Sequence, residues 1–302
     1  MTATATGLST SDQPLPSRRG WTRAIGRAAI AIGAVMVVTV VLAFLVVPIV
    51  ALVTYQPVHD LIDGFGTGVA IDAIVVSLKT NLIAFVVMIA LGTPFAYIVA
   101  RSRFRGRSVV LTAVEVPLVM PPAVAGLALL VAFGRLGLLG GTLRALGIDL
   151  AFTPAAVVIA ILFVASPFYL RGAIAAFEAV DGSLLDVAGT LGAGPVLRMV
   201  RVAVPVAAGG LGAAAAVAFA RGIGEFGATI LFAGSFQGST QTLALAVYSL
   251  FDANLDQAIA IGVLLILVSA AVLFVAKLLG RSWSSASPTS LSLAALSSYA
   301  RR

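Results

Sequence analysis

Three glycines near the end of a long apolar run have the spacing G-x-G-x-x-G, which in other proteins cradles the pyrophosphate of a dinucleotide. They are Gly222, Gly224 and Gly227, in the stretch AFARGIGEFGATILFAG. A dinucleotide fingerprint follows a β-strand and opens a helix, whereas these glycines follow the alanine-rich run GAAAAVAFAR. We interpret them as a hinge and as close-packing positions, because small residues let membrane helices approach each other. The same interpretation covers Gly209, Gly210 and Gly212.

Two charged residues in this run, Arg221 and Glu225, are four positions apart and therefore share one face of a helix. A charge inside a membrane span costs about 2.5–3.5 kcal/mol on insertion scales and marks a functional site by default. Two interpretations stay open: a structural ion pair, or a position beside a translocation pathway near its external gate, where Arg221 is available to a passing oxyanion. The pathway candidates of this stretch are Arg221, Glu225, Phe226, Gly227 and Thr229.

Prolines interrupt a second apolar run, where Pro121 and Pro122 are consecutive and follow Pro117. Each proline lacks an amide donor and is expected to kink its helix. The carbonyls that this frees are tolerated in a membrane only where they face protein or water. Pro121 and Pro122 are therefore further candidates for lining the pathway. Pro94 and Pro167 predict kinks in two other runs.

Two other charges, Lys79 and Glu115, also lie in apolar runs. We expect Glu115 near the cytoplasmic end of its span, within reach of an arginine-rich loop, and Lys79 to extend towards the outside. No residue set indicates catalysis or metal binding: cysteine is absent, the single histidine, His59, lies in a polar stretch, and no HExxH, GxxxxGKS or GxxxxGKT sequence occurs. We expect no cofactor, no metal site and no ATPase site in this chain.

The composition predicts the surroundings of these residues. Hydrophobic residues make up 60% of the 302 residues and charged residues only 10%, and the mean hydropathy is +1.11. A soluble globular protein carries about 25% charged residues, so a membrane protein is predicted. The net charge of +7 does not indicate a nucleic-acid partner, because the basic residues form short clusters between apolar runs, as they do beside membrane spans.

The apolar runs predict an all-α, polytopic protein in contact with membrane lipid. A span needs about 20 mainly apolar residues, and six runs qualify. The first is longer than the apolar region of a signal peptide and lacks a clear cleavage site, so we expect it to be retained. Segment 1–27 is expected to be disordered, 28–279 to form the membrane domain and 280–302 a tail. The spans are placed at about 28–53, 73–100, 108–133, 153–170, 205–233 and 258–276.

The distribution of basic residues predicts the orientation of the spans. Clusters of Arg and Lys precede the first span, follow the sixth, and fill the loops after the second and fourth. The three remaining loops contain six aspartates but only two arginines, Arg135 and Arg144. The positive-inside rule therefore places both termini in the cytoplasm and the acidic loops outside.

One cytoplasmic connection, residues 171–204, differs from the other loops. Its apolar residues recur on one helical face, and a glycine cluster precedes Pro195, which suits the first turn of a new helix. Two short helices joined by a turn are predicted. Amphipathic helices on lipid usually carry Lys or Arg on the polar face, whereas this one carries Glu178, Asp181 and Asp186, so a protein partner is favoured. The apolar face consists of Val180, Leu184, Leu185 and Ala188.

The end of this connection resembles the cytoplasmic signature E-A-A-x3-G-x9-I-x-L-P of the permease subunits of bacterial ABC importers. The match keeps the full spacing and both residues that bend the chain, Gly192 and Pro205, with four conservative replacements. The resemblance implies a type I ABC importer permease in the cytoplasmic membrane. It also implies that this loop is a coupling helix docking into a cytoplasmic ATP-binding subunit, with Asp186 capping or orienting it. The matching residues are Asp186, Val187, Ala188, Gly192, Val202, Val204 and Pro205.

A second resemblance is to the molybdate branch of these permeases. It is carried by the stretches SLKTNLIAFVVMIALGTPFAYIVARSRFRGRS, EVPLVMPPAVAGLALL, RGIGEFGATILFAG and TQTLALAVYSL. The related sulfate permeases share the proline break but usually read Glu-Tyr-Gly where this chain has Glu225-Phe226-Gly227. The resemblance implies a homodimer, a partner ATPase, an extracytoplasmic molybdate-binding protein, and molybdate or tungstate as substrate. Sulfate or thiosulfate stays open as an alternative, as does an ATPase-independent secondary transporter or channel.

Overall fold

The structure is a computed structural model that describes residues 18–102 and 104–284. The predicted N-terminal segment up to residue 17 and the tail from residue 285 lie outside the described residues. Within them the chain is helical, with turns and loops but no β-strand. The helices are α1 Arg18–Thr54, α2 Val58–Phe65, α3 Gly68–Arg101, α4 Arg107–Val119, α5 Pro122–Phe133, α6 Gly140–Ala145, α7 Pro154–Glu178, α8 Gly182–Thr190, α9 Pro195–Arg198, α10 Val204–Ile223, α11 Gly227–Ala233, α12 Leu243–Leu250 and α13 Leu255–Ser284; a π-helical turn, Met199–Ala203, joins α9 to α10.

Five helical segments in the described part of the chain are long and apolar enough to cross a membrane. They are α1, α3, α7, α13 and the segment Pro195–Ile223 that ends with α10. Helices α4 and α5 together pass the same test, but they are bent by 115° where they meet. The described residues therefore contain five spans, or six when the bent pair is counted as one. This multi-span, all-α architecture is the predicted one.

The chain divides into two compact units after Tyr55, and the first contains α1. This helix begins at Arg18 rather than at the predicted start of the span, residue 28. Residues 18–27, expected to be disordered, are therefore helical. Extending an existing helix adds a hydrogen bond for each residue fixed and needs no new nucleus, so the long apolar run supports an additional turn or more before it.

The second unit, from Gln56 onwards, is organised around α7, which packs against α3 on one side and α10 on the other. The contact layer combines alanines with a few large rings, so the helix backbones approach closely. At one crossing, a Cβ atom on Gly172 would lie only 2.5 Å from the Cβ of Ala214. The layer includes Ala96 of α3, Tyr169, Ala173 and Phe177 of α7, and Ala214 and Ala218 of α10.

Single prolines do not end the helices of this unit. Helix α3 continues through Pro94, α4 through Pro117 and α7 through Pro167. One missing amide costs one hydrogen bond, which neighbouring helices and local adjustments compensate in membrane proteins. The tandem Pro121-Pro122 does break the chain, because a residue before proline is driven into an extended conformation. Met120, at ψ 131°, and Pro121, at ψ 136°, both adopt it.

The predicted fifth span, residues 205–233, is not one helix. Helix α10 ends at Ile223, residues 224–226 are not helical, and α11 begins at Gly227. Glycine is a weak helix former, and two glycines within four residues coincide with the end of α10. A further short helix, α12, follows before the last span and was not predicted.

Candidate functional site

The predicted coupling loop folds as two short helices, α8 and α9, with a turn between them. Helix α8 is capped at its start by Asp181, whose carboxylate accepts a hydrogen bond of 2.9 Å from the Ser183 amide. Of the two roles expected for Asp186, capping or orienting the helix, the capping role is therefore wrong, because Asp186 lies in the middle of α8 and is exposed. A cap must precede the first turn, where unpaired amides are available, and Asp181 occupies that position.

Helix α8 ends in a Schellman motif, which explains the glycine at position 192. The Ala193 amide donates to the Ala188 carbonyl and the Gly192 amide to the Gly189 carbonyl, both at 3.0 Å. This motif places the residue after the helix in the left-handed conformation, and Gly192 has φ +86°. Gly192 therefore turns the chain between α8 and α9, as the signature requires of it.

The second bending residue of the signature, Pro205, lies at the beginning of α10. Proline has no amide and its ring crowds the carbonyl four residues earlier, here that of Arg201. The π-helical turn Met199–Ala203 includes this carbonyl and lies directly before α10. Single π-turns of this kind often mark functional sites in helices. Val202 lies in the same turn, so that the end of the signature coincides with the irregular part of a long helix.

Much of the surface of the coupling loop is apolar and exposed. Leu185 and Val180 are buried at 7% and 4% exposure, whereas Leu191 is 82% exposed. Leu184, predicted to share one apolar helical face with Leu185, is exposed at 45%, and Leu185 is the one residue that α8 buries. Large apolar side chains exposed on one short segment often mark an interaction surface. They are Leu184, Val187, Leu191, Val196 and Val200, here together called the coupling surface.

Arginines tie the coupling loop to the rest of the protein. The guanidinium of Arg101, at the end of α3, donates a hydrogen bond of 2.5 Å to the Val180 carbonyl just before α8. Arg198 donates to the Ala193 carbonyl at 2.8 Å and lies against Gly189, so it braces the turn. Hydrogen bonding to Ser183, with a smaller contribution from the positive charge of Arg101, lowers the pKa of Asp181 from its usual value of 3.8.

The candidate pathway residues meet at the break between α10 and α11. Arg221 and Glu225 form an ion pair of 2.8 Å, and the other carboxylate oxygen of Glu225 accepts a hydrogen bond of 2.8 Å from the Ala228 amide. The Glu225 side chain is 1% exposed and that of Arg221 is 30% exposed. Glu225 is therefore fully engaged inside the protein, while Arg221 retains access to the surface.

Two of the predicted close-packing glycines do make close contacts at this break. A Cβ on Gly227 would lie 2.5 Å from the Cβ of Pro122, and a Cβ on Gly222 would lie 2.9 Å from the Asn81 side-chain oxygen. Gly210 is equally close to α7, but nothing within 4 Å surrounds a Cβ at three other predicted positions, so their packing role is not seen within this chain. These are Gly209, Gly212 and Gly224.

The contact between Gly227 and Pro122 brings together the two predicted parts of the pathway. Both residues begin a helix, α11 and α5 respectively, and these helices pack side by side. A second close contact occurs one turn further on, where a Cβ on Gly126 would lie 2.7 Å from the Ala228 carbonyl oxygen. Because these contacts involve backbone atoms, α5 and α11 fit together without room for larger side chains.

The remaining candidates differ in exposure. Pro121 and Pro122 are exposed, and Phe226 is half-buried with its ring centroid 4.9 Å from that of Tyr248. Thr229 is completely buried, and its hydroxyl has no hydrogen-bond partner among the described residues. Thr229 therefore does not line an open path in this conformation. The coupling residue Pro205 lies at the other end of α10, about 24 Å from Arg221 along the helix axis at 1.5 Å per residue.

Sequence reasoning missed a group of buried polar residues on α3. The Ser77 hydroxyl accepts a hydrogen bond of 2.8 Å from the Leu243 amide and thereby satisfies the start of α12. Asn81 donates to the Ser77 carbonyl at 2.9 Å and faces Gly222. The signal in the sequence is the polar set Ser77, Thr80 and Asn81 at positions i, i+3 and i+4, which share one face of an otherwise apolar helix.

The two other charged residues of the apolar runs have different surroundings. Lys79 is exposed. The carboxylate of Glu115 lies 3.2 Å from the guanidinium of Arg171 on α7. The partner observed for Glu115 therefore lies on a helix that packs against α4, and its expected proximity to the arginine-rich loop stays a prediction.

In the second unit, continuous and broken apolar helices are organised around α7, and a short helix pair follows it; together with α1 they define a polytopic membrane protein. The chain belongs to the family described as the binding-protein-dependent transport system inner membrane component, which matches residues 92–285. This region contains both the coupling loop and the break between α10 and α11. Membership of this family and the apolar helices confirm a multi-pass protein of the cytoplasmic membrane.

A similar solved structure confirms the fold. A chain in "Crystal structure of a bacterial ABC transporter involved in the import of the acidic polysaccharide alginate" aligns with a TM-score of 0.66 and 18% identity, over 88% of this chain and 99% of that chain. The predicted fold of a type I ABC importer permease is therefore the observed one.

Two curated relatives are similar in sequence. The "Molybdenum transport system permease protein ModB" of Mycobacterium tuberculosis is 44% identical over 200 residues, covering 66% of this chain and 76% of that protein. The "Probable transport system permease protein NifC" of Clostridium pasteurianum is 34% identical over 235 residues, covering 78% of this chain and 82% of that protein.

Proposed function

We propose that this chain is the membrane-spanning subunit of an ATP-driven importer of molybdate, with tungstate as a chemically equivalent substrate. Support for the substrate comes from the relative named for molybdenum transport, which is 44% identical over two thirds of the chain. In the proposed assembly two copies form a homodimer, two cytoplasmic ATPase subunits supply the energy, and an extracytoplasmic binding protein delivers the oxyanion. The chain itself hydrolyses no ATP.

The observation that carries the proposal is the coupling surface. Burying exposed apolar area in an interface is favourable by about 25 cal/mol for each Å², and part of this area lies on α8, which begins at the Asp181 cap and ends at the Gly192 turn. Exposed apolar side chains on α8, and on the start of the candidate span Pro195–Ile223 that follows it, suit a groove on a partner protein. The ATPase subunit is the proposed occupant, because the signature residues Asp186 to Pro205 belong to the pair α8 and α9 and to the helix that continues from it.

The proposed orientation places both termini and the coupling surface in the cytoplasm. The arginines that hold this loop, Arg101 and Arg198, belong to the basic clusters that the positive-inside rule assigns to the cytoplasm. The break between α10 and α11 then lies towards the outside, at the end of α10 opposite the coupling loop. In this arrangement movement of the coupling loop reaches the break through one continuous helix, α10 with its π-helical turn.

The break between α10 and α11 is proposed as the gate of the translocation pathway. Arg221 offers a cation that is 30% exposed, while the pairing with Glu225 keeps that cation from acting as a strong anion trap. Conduction requires contacts strong enough to admit the ion and weak enough to release it. Phe226, Gly227, Pro121 and Pro122 would shape the same passage.

The direct test is uptake into proteoliposomes that contain the purified complex with its ATPase and binding protein. Labelled molybdate should accumulate only with ATP, and unlabelled tungstate should compete while sulfate competes poorly. A complex with a hydrolysis-defective ATPase is the matched control and should accumulate nothing. Preferential uptake of sulfate would replace the substrate assignment, and uptake driven by an ion gradient without the ATPase would contradict the importer proposal.

A further inference from the structure

None of the residues of helix α4 is fully buried. It packs against α7, where Val110 and Leu111 are partly buried against the apolar core. It connects two functional regions. It begins at Arg107, close to the base of the coupling loop, and it ends at Val119, directly before the proline break that leads to α5.

Two ion pairs join α4 to α7. The guanidinium of Arg107 contacts the carboxylate of Glu178 at the end of α7. Further along α4, the carboxylate of Glu115 lies 3.2 Å from the guanidinium of Arg171. The spacings match, since eight residues on α4 and seven on α7 span about 12 Å and about 10 Å at 1.5 Å per residue. We call these two pairs the α4–α7 ion pairs.

The order of the charges fixes one arrangement of the two helices. Along α4 the cation Arg107 precedes the anion Glu115. Because α7 is antiparallel to α4, each of these charges lies beside a charge of opposite sign on α7. A shift of α4 by two turns would move Glu115 towards Glu178 or Arg107 towards Arg171. Like charges in contact are destabilising by amounts similar to those by which opposite charges stabilise. The α4–α7 ion pairs therefore favour one register of the two helices, in addition to the apolar contacts of Val110 and Leu111.

The same end of α7 is connected to the coupling loop. The arginine that pairs with Glu178 also donates a hydrogen bond of 3.0 Å from its Nε to the Val99 carbonyl of α3. Two residues after Glu178, the Val180 carbonyl accepts from Arg101. The beginning of α4, the end of α3 and the start of α8 thus share one network of charged and backbone groups.

The other end of α4 is connected to the proposed gate. After the break at Met120 and Pro121, α5 packs against α11 through the close contacts of Pro122 with Gly227 and of Gly126 with Ala228. These contacts leave little room for α5 to slide along α11, because even a Cβ on Gly126 would collide with backbone atoms of Ala228. Displacement of α4 would therefore displace α5, and α11 with it.

We propose that the α4–α7 ion pairs make α4 move as one body with the cytoplasmic half of α7, so that α4 carries displacement of the coupling loop to the gate helices α5 and α11. Arg107, Glu115, Arg171 and Glu178 are in this view positioning residues for transport, acting through the helices rather than on the anion. The predicted effect on transport rests on the proposed function. The attachment of α4 to α7 by the ion pairs does not, because it is a property of this chain alone.

The first test exchanges the charges of one pair. E115R and R171E each place two like charges together. The double variant E115R/R171E restores a pair of opposite charges with the positions of the two charges exchanged. We expect each single variant to lower the molybdate imported for each ATP hydrolysed by about two- to five-fold, as for a pair of modest strength. The double variant should return to within about two-fold of the parent. D149N, which removes an ion pair of 3.3 Å with Arg135 elsewhere, is the matched control and should leave this ratio unchanged.

The second test uses the absence of cysteine from these 302 residues. E115C and R171C are combined and joined by a short thiol-reactive cross-linker, with the parent chain treated in the same way as the control. If α4 and α7 move together, cross-linking should restore the import ratio that the two substitutions lower. Loss of uptake on cross-linking, in a complex that still assembles, would show that the helices must separate and would overturn the inference.

A third measurement does not depend on transport. Thermal unfolding of the parent, E115Q, R171M and the double variant in detergent gives the coupling between the two side chains as a double-mutant cycle. A coupling free energy of zero between Glu115 and Arg171 would overturn the inference even if the complex imports molybdate normally. If instead the parent complex imports no molybdate, the proposed function fails, while the cycle still decides whether α4 is fastened to α7.

Discussion

The carboxylate of Glu225 lies 2.8 Å from the guanidinium of Arg221 at the end of α10, and it also accepts the Ala228 amide of the next helix. One side chain thus satisfies a cation in one helix and an unpaired amide in another across a three-residue break. Glu225 is 1% exposed and Arg221 is 30% exposed. The carboxylate therefore depends on this pair more than the guanidinium does, because only the guanidinium reaches the surface.

The asymmetry of this pair predicts an order of destabilisation. R221M leaves a buried carboxylate without its counter-ion and should lower stability by about 3 kcal/mol or more, as for other broken buried pairs. E225Q should cost less, because glutamine still accepts the Ala228 amide and Arg221 can turn to the surface. Thermal unfolding of the purified chain in detergent measures both. Equal losses, or a greater loss for E225Q, would contradict the assigned asymmetry.

Thr229 provides a test of the gate that separates stability from transport. Its buried hydroxyl has no partner in the described part of the chain, and an unsatisfied buried polar group costs about 1–3 kcal/mol. T229V, which has almost the same shape, should therefore keep or raise the unfolding temperature. If the hydroxyl contacts the anion when the gate opens, the same variant should raise the KM for molybdate several-fold. T229S is the matched control and should retain the parental KM.

A lower unfolding temperature in T229V would show that the hydroxyl has a partner in the resting state. An unchanged KM together with raised stability would remove Thr229 from the pathway residues. Because the two readouts are independent, neither outcome can be mistaken for a general loss of folding.

Most of the architecture could be predicted because membrane spans are defined by length and apolar composition. The runs at 73–100 and 153–170 correspond to α3 and α7, the helices at the centre of the fold. The prediction of one continuous fifth span was wrong because the apolar composition continues across Gly224 and Phe226, where the helix is interrupted. Mean hydropathy over a window of residues indicates which segments can be buried in a membrane. A break in a helix depends instead on a side chain that accepts hydrogen bonds from the unpaired amides, and here that side chain is Glu225.

The coupling loop was predicted in outline for a similar reason. Glycine at position 192 permits the left-handed conformation of a helix end, and proline at 195 fixes φ for a first helical turn, so the effect of both can be inferred from the sequence. The cap could not be assigned correctly, since Asp181 and Asp186 are both plausible acids and only the start of α8 decides between them. The partner of Glu115 depends on how α4 lies along α7, which is a tertiary relationship with no local signal.

Gly192 predicts a selective defect in coupling. In G192A the alanine must adopt φ +86°, which costs about 1–2 kcal/mol for an L-residue, so the turn between α8 and α9 should shift. We expect the variant to insert normally but to bind the ATPase subunit more weakly, and G192V to be worse. Co-purification with the ATPase and ATP-dependent uptake measure this effect.

The control for this prediction is G182A, at the first position of α8. A Cβ there also has open space, as at Gly192, but the backbone is helical and alanine is favourable in a helix. G182A should therefore bind the ATPase as the parent does. Normal assembly and uptake in both glycine variants would count heavily against the coupling assignment.

The N-cap of α8 predicts a pH dependence that begins well below neutrality. Hydrogen bonds from Ser183 favour the ionised form of Asp181 and lower its pKa below 3.8. A lowered pKa in the folded state means that the cap stabilises α8 fully above pH 3.8 and that this contribution is lost as the pH falls through the folded value. Amide exchange of Ser183, corrected for the intrinsic pH dependence of exchange, should therefore accelerate only in that acidic range. D181N keeps a cap acceptor that does not titrate, so its corrected exchange should not change with pH; the same acceleration in D181N would assign the effect to another group.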